Sequence, residues 1–144
     1  MIKIICIGKL KENYLKDGIN DYLTRINKYH KINIIELPDS NIANESKEIL
    51  KYIDNKDYII GMCIEGNQIS STELANKIDK SFITNPCITF IIGGSDGLSD
   101  EVKEKCNYKL SFSKLTYPHG LFRLILLEQI YRSFKILNNE TYHK

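Results

Sequence analysis

PCITFIIGG, residues 86–94, is an apolar run of strand length that opens at a proline and runs straight into a glycine turn. Runs of the same kind lie on both sides of it. IKIICIG (2–8), INIIELP (32–38) and DYIIGMCIEG (57–66) come before, and YKLSFS (108–113) comes after. The segments between them have helical spacing. Residues 10–28 set Leu10, Leu15, Ile19, Leu23 and Ile26 on one face, and residues 44–53 turn Ile49, Leu50 and Ile53 inward. Ser70 and Glu73 form an S-x-x-E capping box that opens a helix running to about Phe82. A short helix follows from Ser99 to Lys105, and Pro118 closes the loop before a last helix over 119–137. This strict alternation predicts an α/β fold: a largely parallel sheet flanked by helices. There is no repeat, low-complexity stretch or linker, so the expectation is a single domain over residues 1–144. Ligands of such sheets bind beyond the carboxyl ends of the strands, here the turns at Gly66, Gly93–Gly94 and Ser113.

The last helix is apolar on more than one face, with Leu121, Phe122, Leu124, Ile125, Leu126, Leu127, Ile130, Tyr131 and Phe134. A surface helix needs one apolar stripe. This helix is therefore expected either at the centre of the core or against a second copy of the chain, with part of it in a homodimer contact.

Composition sets the outer limits. With 42% hydrophobic and 26% charged residues the chain reads as a soluble globular protein. No run is long enough to span a bilayer, and the first strand is no signal peptide, which predicts a cytoplasmic protein. Cys6, Cys63, Cys87 and Cys106 show no CxxC spacing, and His30 and His119 stand in no ligand cluster. Reduced structural thiols and no metal site are expected. Charge is uneven: seven basic and three acidic residues over 1–35, five and eleven over 36–100, eight and four over 101–144. Basic ends around an acidic middle suit RNA, although a charge run is more often just a solvated face.

Four constellations can carry chemistry. The glycine turn Gly93-Gly94-Ser95-Asp96-Gly97 lets backbone N–H groups approach a ligand, yet it is neither GxGxxG nor a P-loop, and an ordinary βα turn has the same composition. The loop Ser111–His119 combines hydroxyls with Phe112 and Leu115, the mixture a cofactor pocket uses; the plainer reading is a loop that caps the last helix. On that helix Glu128 and Arg132 are spaced as an ion pair, and Arg123 needs a carboxylate or phosphate partner among apolar neighbours. The tail Glu140-Thr141-Tyr142-His143-Lys144 offers a ring that can stack on a base and an imidazole that can move a proton.

Together with MIKIICIGKLKENY at the start, these blocks closely resemble the RlmH family of the SPOUT methyltransferases. The likeness covers nearly the whole chain and is strongest over Phe90–Leu98, Leu110–His119, Arg123–Phe134 and Tyr142-His143-Lys144. The resemblance implies methylation of N3 of a pseudouridine in large-subunit ribosomal RNA, a trefoil-knotted fold, a homodimer and S-adenosylmethionine bound in the knot. Parallel-sheet reasoning alone predicts no knot. Carried over residue by residue, the cofactor contacts are Met62, Gly93, Phe112, Ser113, Lys114, Leu115, Thr116 and Tyr117. The chain departs from the family pattern in two places. Cys63 stands where an acidic residue is expected, and the stretch between Pro38 and Asp57 is short.

The chemistry assigns roles. An imide N3–H is a poor nucleophile until its proton leaves, and charge then develops on the two flanking carbonyls. Arg132 is the expected stabiliser of that charge, with Glu128 orienting it, His143 as base or substrate contact and Tyr142 as a stacking surface. Arg123 is expected to bind phosphate or support the dimer. The competing readings are a knotted enzyme acting on transfer RNA, a non-catalytic nucleotide-binding α/β module, and a structural ribosome-binding dimer.

Overall fold

The computed structural model describes all 144 residues. The order of elements is the alternating one: β1 (Ile2–Ile7), α1 (Asn13–Asn27), β2 (Ile32–Leu37), α2 (Ile42–Lys51), β3 (Asp57–Asn67), α3 (Ser71–Thr84), β4 (Cys87–Ile92), α4 (Asp100–Lys105), β5 (Tyr108–Leu110) and α5 (His119–Leu137). The five strands form one sheet in the order β2-β1-β4-β3-β5, and every pair is parallel. All six residues of β4 are buried, because helices cover both faces of a central parallel strand.

Strand alternation sorts the core into two halves. Ile2, Ile4, Cys6, Phe90 and Ile92 face α1, α3 and α5 in the larger half, while Ile5, Ile7, Ile59 and Ile91 face α2 and α4 in the smaller. Start signals behave as their chemistry requires. Ser70 accepts from the N–H of Glu73 while Glu73 accepts from the N–H of Ser70, completing the capping box, and Asn41 and Ser99 cap α2 and α4.

Helix α5 packs between α1 and α3 and against the sheet, with Leu126, Leu127 and Ile130 fully buried. Contact on three sides accounts for its apolar breadth: it is the central helix of the larger core. Leu121, near its start, stays 37% exposed, as does Tyr14 of α1 at 70%.

The path from β5 to α5 shapes the functional end of the molecule. β5 is the edge strand beside β3, so residues 111–118 turn back over the carboxyl ends of the strands to reach α5. The expected strand over 108–113 stops at Leu110: the Ser111 N–H still reaches the Asn67 carbonyl of β3 at 2.9 Å, and beyond it the chain turns away. Where β3 bulges beside β5, a Cβ on Gly66 would lie 2.8 Å from the carbonyl of Lys109, so only glycine fits.

Candidate active site

Beyond the carboxyl ends of β3, β4 and β5 lies a cavity of about 390 Å³, walled by the end of β3, the glycine turn after β4 and the loop after β5. Seven of the eight residues expected to hold a cofactor line it: Met62, Gly93, Phe112, Ser113, Leu115, Thr116 and Tyr117. Lys114 does not; it is exposed on the outside of the same loop.

The glycine turn is tightly closed. Gly97 donates its N–H to the Gly94 carbonyl at 3.0 Å and takes a φ of +76°. A Cβ on Gly93 would lie 2.6 Å from the carbonyl carbon and oxygen of Gly97. Glu45 of α2 lies under this turn, 4% exposed, and accepts from the N–H of Ser40 at 2.9 Å. Burial raises its carboxyl above the usual range, and the Asp39 and Asp96 carboxylates push the same way.

The opposite wall holds itself in shape. The Ser113 hydroxyl accepts from the Leu115 N–H at 2.9 Å, and Ser111 donates to the Ser113 carbonyl at 3.1 Å. Phe112 and Tyr117 both pack on Phe122 of α5, with ring centroids 5.3 and 5.9 Å apart. Cys63 lines the cavity as a thiol raised by burial. The acid at this end of the strand is Glu65, two residues further along. It pairs with Lys103 of α4 at 2.7 Å across the mouth, and that bond holds its carboxyl below the ordinary range. Sequence reasoning missed this pair. The available signal was the i, i+2 spacing that puts Cys63 and Glu65 on one face of β3.

Glu128, Arg132, Tyr142 and His143 come together as one cluster. Arg132 donates to Glu128 through Nε at 3.1 Å and Nη2 at 2.8 Å, and its Nη1 lies 3.1 Å from His143 Nδ1. Tyr142 donates to Glu128 at 3.0 Å, and the guanidinium sits 4.8 Å from the centre of the Tyr142 ring. Burial, Tyr22 and Glu128 raise the Tyr142 hydroxyl, so it stays a donor. None of the four lines the cavity. His119 and Phe122 do, and Arg132 comes ten residues after Phe122 on the same helix, about 15 Å along its axis.

Of the two partners expected for Arg123, a carboxylate or a phosphate, the structure supplies the carboxylate. The arginine side chain is 3% exposed and is already paired: Nη1 with Glu36 at 2.6 Å and Nη2 with the Gly8 carbonyl at 3.2 Å. It ties α5 to the ends of β1 and β2 and is closed to a phosphate. The four cysteines are free, with burial raising Cys6 and Cys106 to about 11. No group of three His, Cys, Asp or Glu is arranged to hold a metal, and no helix is long and apolar enough to cross a membrane.

Comparison with known proteins gives consistent matches. A family model described as "Predicted SPOUT methyltransferase" matches residues 1–143. The chain is 46% identical to ribosomal RNA large subunit methyltransferase H of Clostridium botulinum and 45% identical to the protein of that name from Enterococcus faecalis, in each case over 99% of both chains. These matches run over 157 residues against the chain's 144, as they must where the relatives carry residues this chain lacks. Among solved structures, a probable methylase family protein from Haemophilus influenzae superposes with a TM-score of 0.56 at 16% identity, over 96% of this chain and 66% of that one. A TrmH/SpoU tRNA modifying enzyme from A. aeolicus gives 0.52 at 13% identity, over 95% and 77%. At those identities the likeness is one of fold.

Proposed function

The chain belongs to the SPOUT methyltransferase family, among its RlmH members, and from that premise we propose that it methylates N3 of a pseudouridine in large-subunit ribosomal RNA with S-adenosylmethionine. The observation that carries this reading is the shared cavity: the glycine turn and the hydroxyl-lined loop meet around one space at the carboxyl ends of the strands.

The residues present fit the cofactor. The cavity falls within the range of small-molecule sites. Gly93, Gly94 and Gly97 line it without side chains, so backbone comes close to any occupant, and Met62, Phe112 and Leu115 supply apolar contact. Bound there, S-adenosylmethionine supplies a methyl group already activated by its sulfonium. What the protein adds is alignment and handling of the acceptor proton. His143 accepts the N3 proton. Arg132, held by both of its bonds to Glu128, stabilises the charge that develops on the flanking carbonyls, and Tyr142 stacks on the base.

The distance between cluster and cavity within one chain bears on assembly. Groups about 15 Å apart along a helix, as Arg132 and Phe122 are, do not serve one reaction centre. A homodimer in which one protomer's tail works at the other's cavity joins them, and exposed Tyr14 and Leu121 beside the α1–α5 pair supply apolar surface for it. Membership of this family supports a C-terminal segment threaded as a trefoil knot. Basic charge at both ends of the chain suits ribosomal RNA, which puts the protein's work in the cytoplasm with the ribosomes.

The decisive experiment uses labelled S-adenosylmethionine and ribosomes from cells that lack the modification, followed by mapping of the labelled nucleotide. Label on a pseudouridine N3 is expected. Label only on transfer RNA, or cofactor binding without transfer to any RNA, would overturn the reading.

A further inference from the structure

A second cavity, of about 270 Å³, backs onto the first and shares Leu110, Phe112 and Tyr117 with it. Its polar lining comes from the start of α3 and from Gln129 of α5. The Gln129 carboxamide is fixed from both ends. The Ser71 hydroxyl donates to Oε1 at 2.7 Å, and Nε2 donates to Glu128 at 3.0 Å. A carboxamide has two acceptor positions and two N–H groups, so one of each remains for a ligand.

We propose that this cavity takes the target nucleobase and that Gln129 recognises the edge by which pseudouridine differs from uridine. The inference rests on the reading of the chain as a pseudouridine N3-methyltransferase. N3 lies between the C2 and C4 carbonyls and has to stay open to the methyl donor, so recognition must use another edge. Pseudouridine is joined to its sugar through C5. Its N1 therefore carries a hydrogen next to the C2 carbonyl, whereas in uridine N1 carries the sugar. That N1–H and carbonyl form a cis-amide edge, the complement of a side-chain carboxamide. N1–H donates to Oε1 of Gln129, and Nε2 donates to the C2 oxygen. Uridine leaves Oε1 facing no donor, which a site built around a hydrogen bond penalises heavily. Phe112 and Tyr117 line both cavities, so an extruded base laid against them adjoins the cofactor and leaves its other face for Tyr142 of the partner subunit. The Nε2 donor to the C2 oxygen also opposes the charge that appears there as N3 loses its proton.

The test compares kcat/KM on ribosomes carrying pseudouridine at the target with ribosomes carrying uridine there, and measures S-adenosylmethionine affinity by calorimetry. Wild-type protein should prefer pseudouridine. Gln129→Met should reduce that preference by at least about tenfold while cofactor Kd stays within about twofold. Should Gln129→Met fail to fold, Ser71→Ala, which removes only the hydroxyl that orients the carboxamide, should still lower the preference. An unchanged preference in an active variant overturns the proposal, as does equal wild-type activity on both substrates. Cofactor Kd weakening in step with activity also overturns it, by making the second cavity part of the cofactor site. Wild-type protein that methylates neither substrate would instead overturn the functional reading beneath it.

Discussion

Replacing Gly93 by alanine tests the cofactor cavity most directly. The added Cβ would lie 2.6 Å from the carbonyl carbon and oxygen of Gly97, where ordinary contact begins at 3.4 Å. Both opposing atoms are backbone, so no side chain can swing aside, and the turn has to open by about 0.8 Å. Overpacking of this kind costs about 1–3 kcal/mol. In a chain of this size each kcal/mol lowers Tm by about 4 °C, so a fall of about 4–12 °C is expected in a thermal melt. The turn is also a cavity wall, and a shift approaching 1 Å should weaken S-adenosylmethionine binding at least about tenfold by calorimetry. Gly97→Ala is the matched control. Nothing lies within 4 Å of its Cβ, but its φ of +76° strains an alanine by about 1–2 kcal/mol. It should lower Tm with a smaller loss of affinity. A Gly93→Ala protein that melts with the wild type and binds the cofactor within twofold of it would refute the role given to the turn.

Four further outcomes are expected. Arg132→Ala should reduce methyl transfer at least about tenfold, from typical electrostatic contributions of ~2–4 kcal/mol, with cofactor affinity unchanged; single-turnover rates check this. Removal of Tyr142–Lys144 should abolish transfer while binding of S-adenosylmethionine stays near normal, because none of the three lines the cavity of its own chain. Arg123→Met should cost about 2–3 kcal/mol in urea unfolding: the guanidinium is buried, but Glu36 is 38% exposed and water can take over part of its bonding. Adding Glu36→Gln should restore part of that loss. His30 stacks on Phe82 at 4.2 Å, and burial lowers its pKa below the unfolded value of 6.5. The unfolded chain therefore takes up the proton first, so this contribution is intact above pH 6.5 and declines as the pH falls through and below it. Urea midpoints at pH 5 and pH 7.5 should differ less in His30→Phe than in the wild type.

Local features were legible in the sequence. The apolar runs marked all five strands, Ser70 with Glu73 marked the start of α3, and α5 begins at His119 directly after Pro118. Strand order was not legible, because β1 pairs with both β2 and β4 through contacts that no local pattern records. For the same reason β5 ended early. The Ser111 N–H is the last to reach β3, at Asn67, and no local pattern marks where that pairing stops. The cavity residues were accessible through glycine and hydroxyl chemistry, apart from Lys114, whose side chain turns out to solvent. The Arg123 partner was not. A buried cation announces that it needs a carboxylate, but it does not say that the carboxylate is Glu36. The Glu65–Lys103 pair escaped notice because its members come from separate elements and each resembles an ordinary surface charge.

The position of α5 constrains how the chain is made. This helix fills the middle of the larger core, so everything synthesised before it lacks a central partner. A nascent chain halted before residue 119 holds Ile4, Phe90 and Ile78 against no α5. Such contacts, distant in sequence, form slowly and leave apolar surface open meanwhile. Consolidation of that core therefore waits until α5 has left the exit tunnel, and until then the apolar faces that it covers stay open.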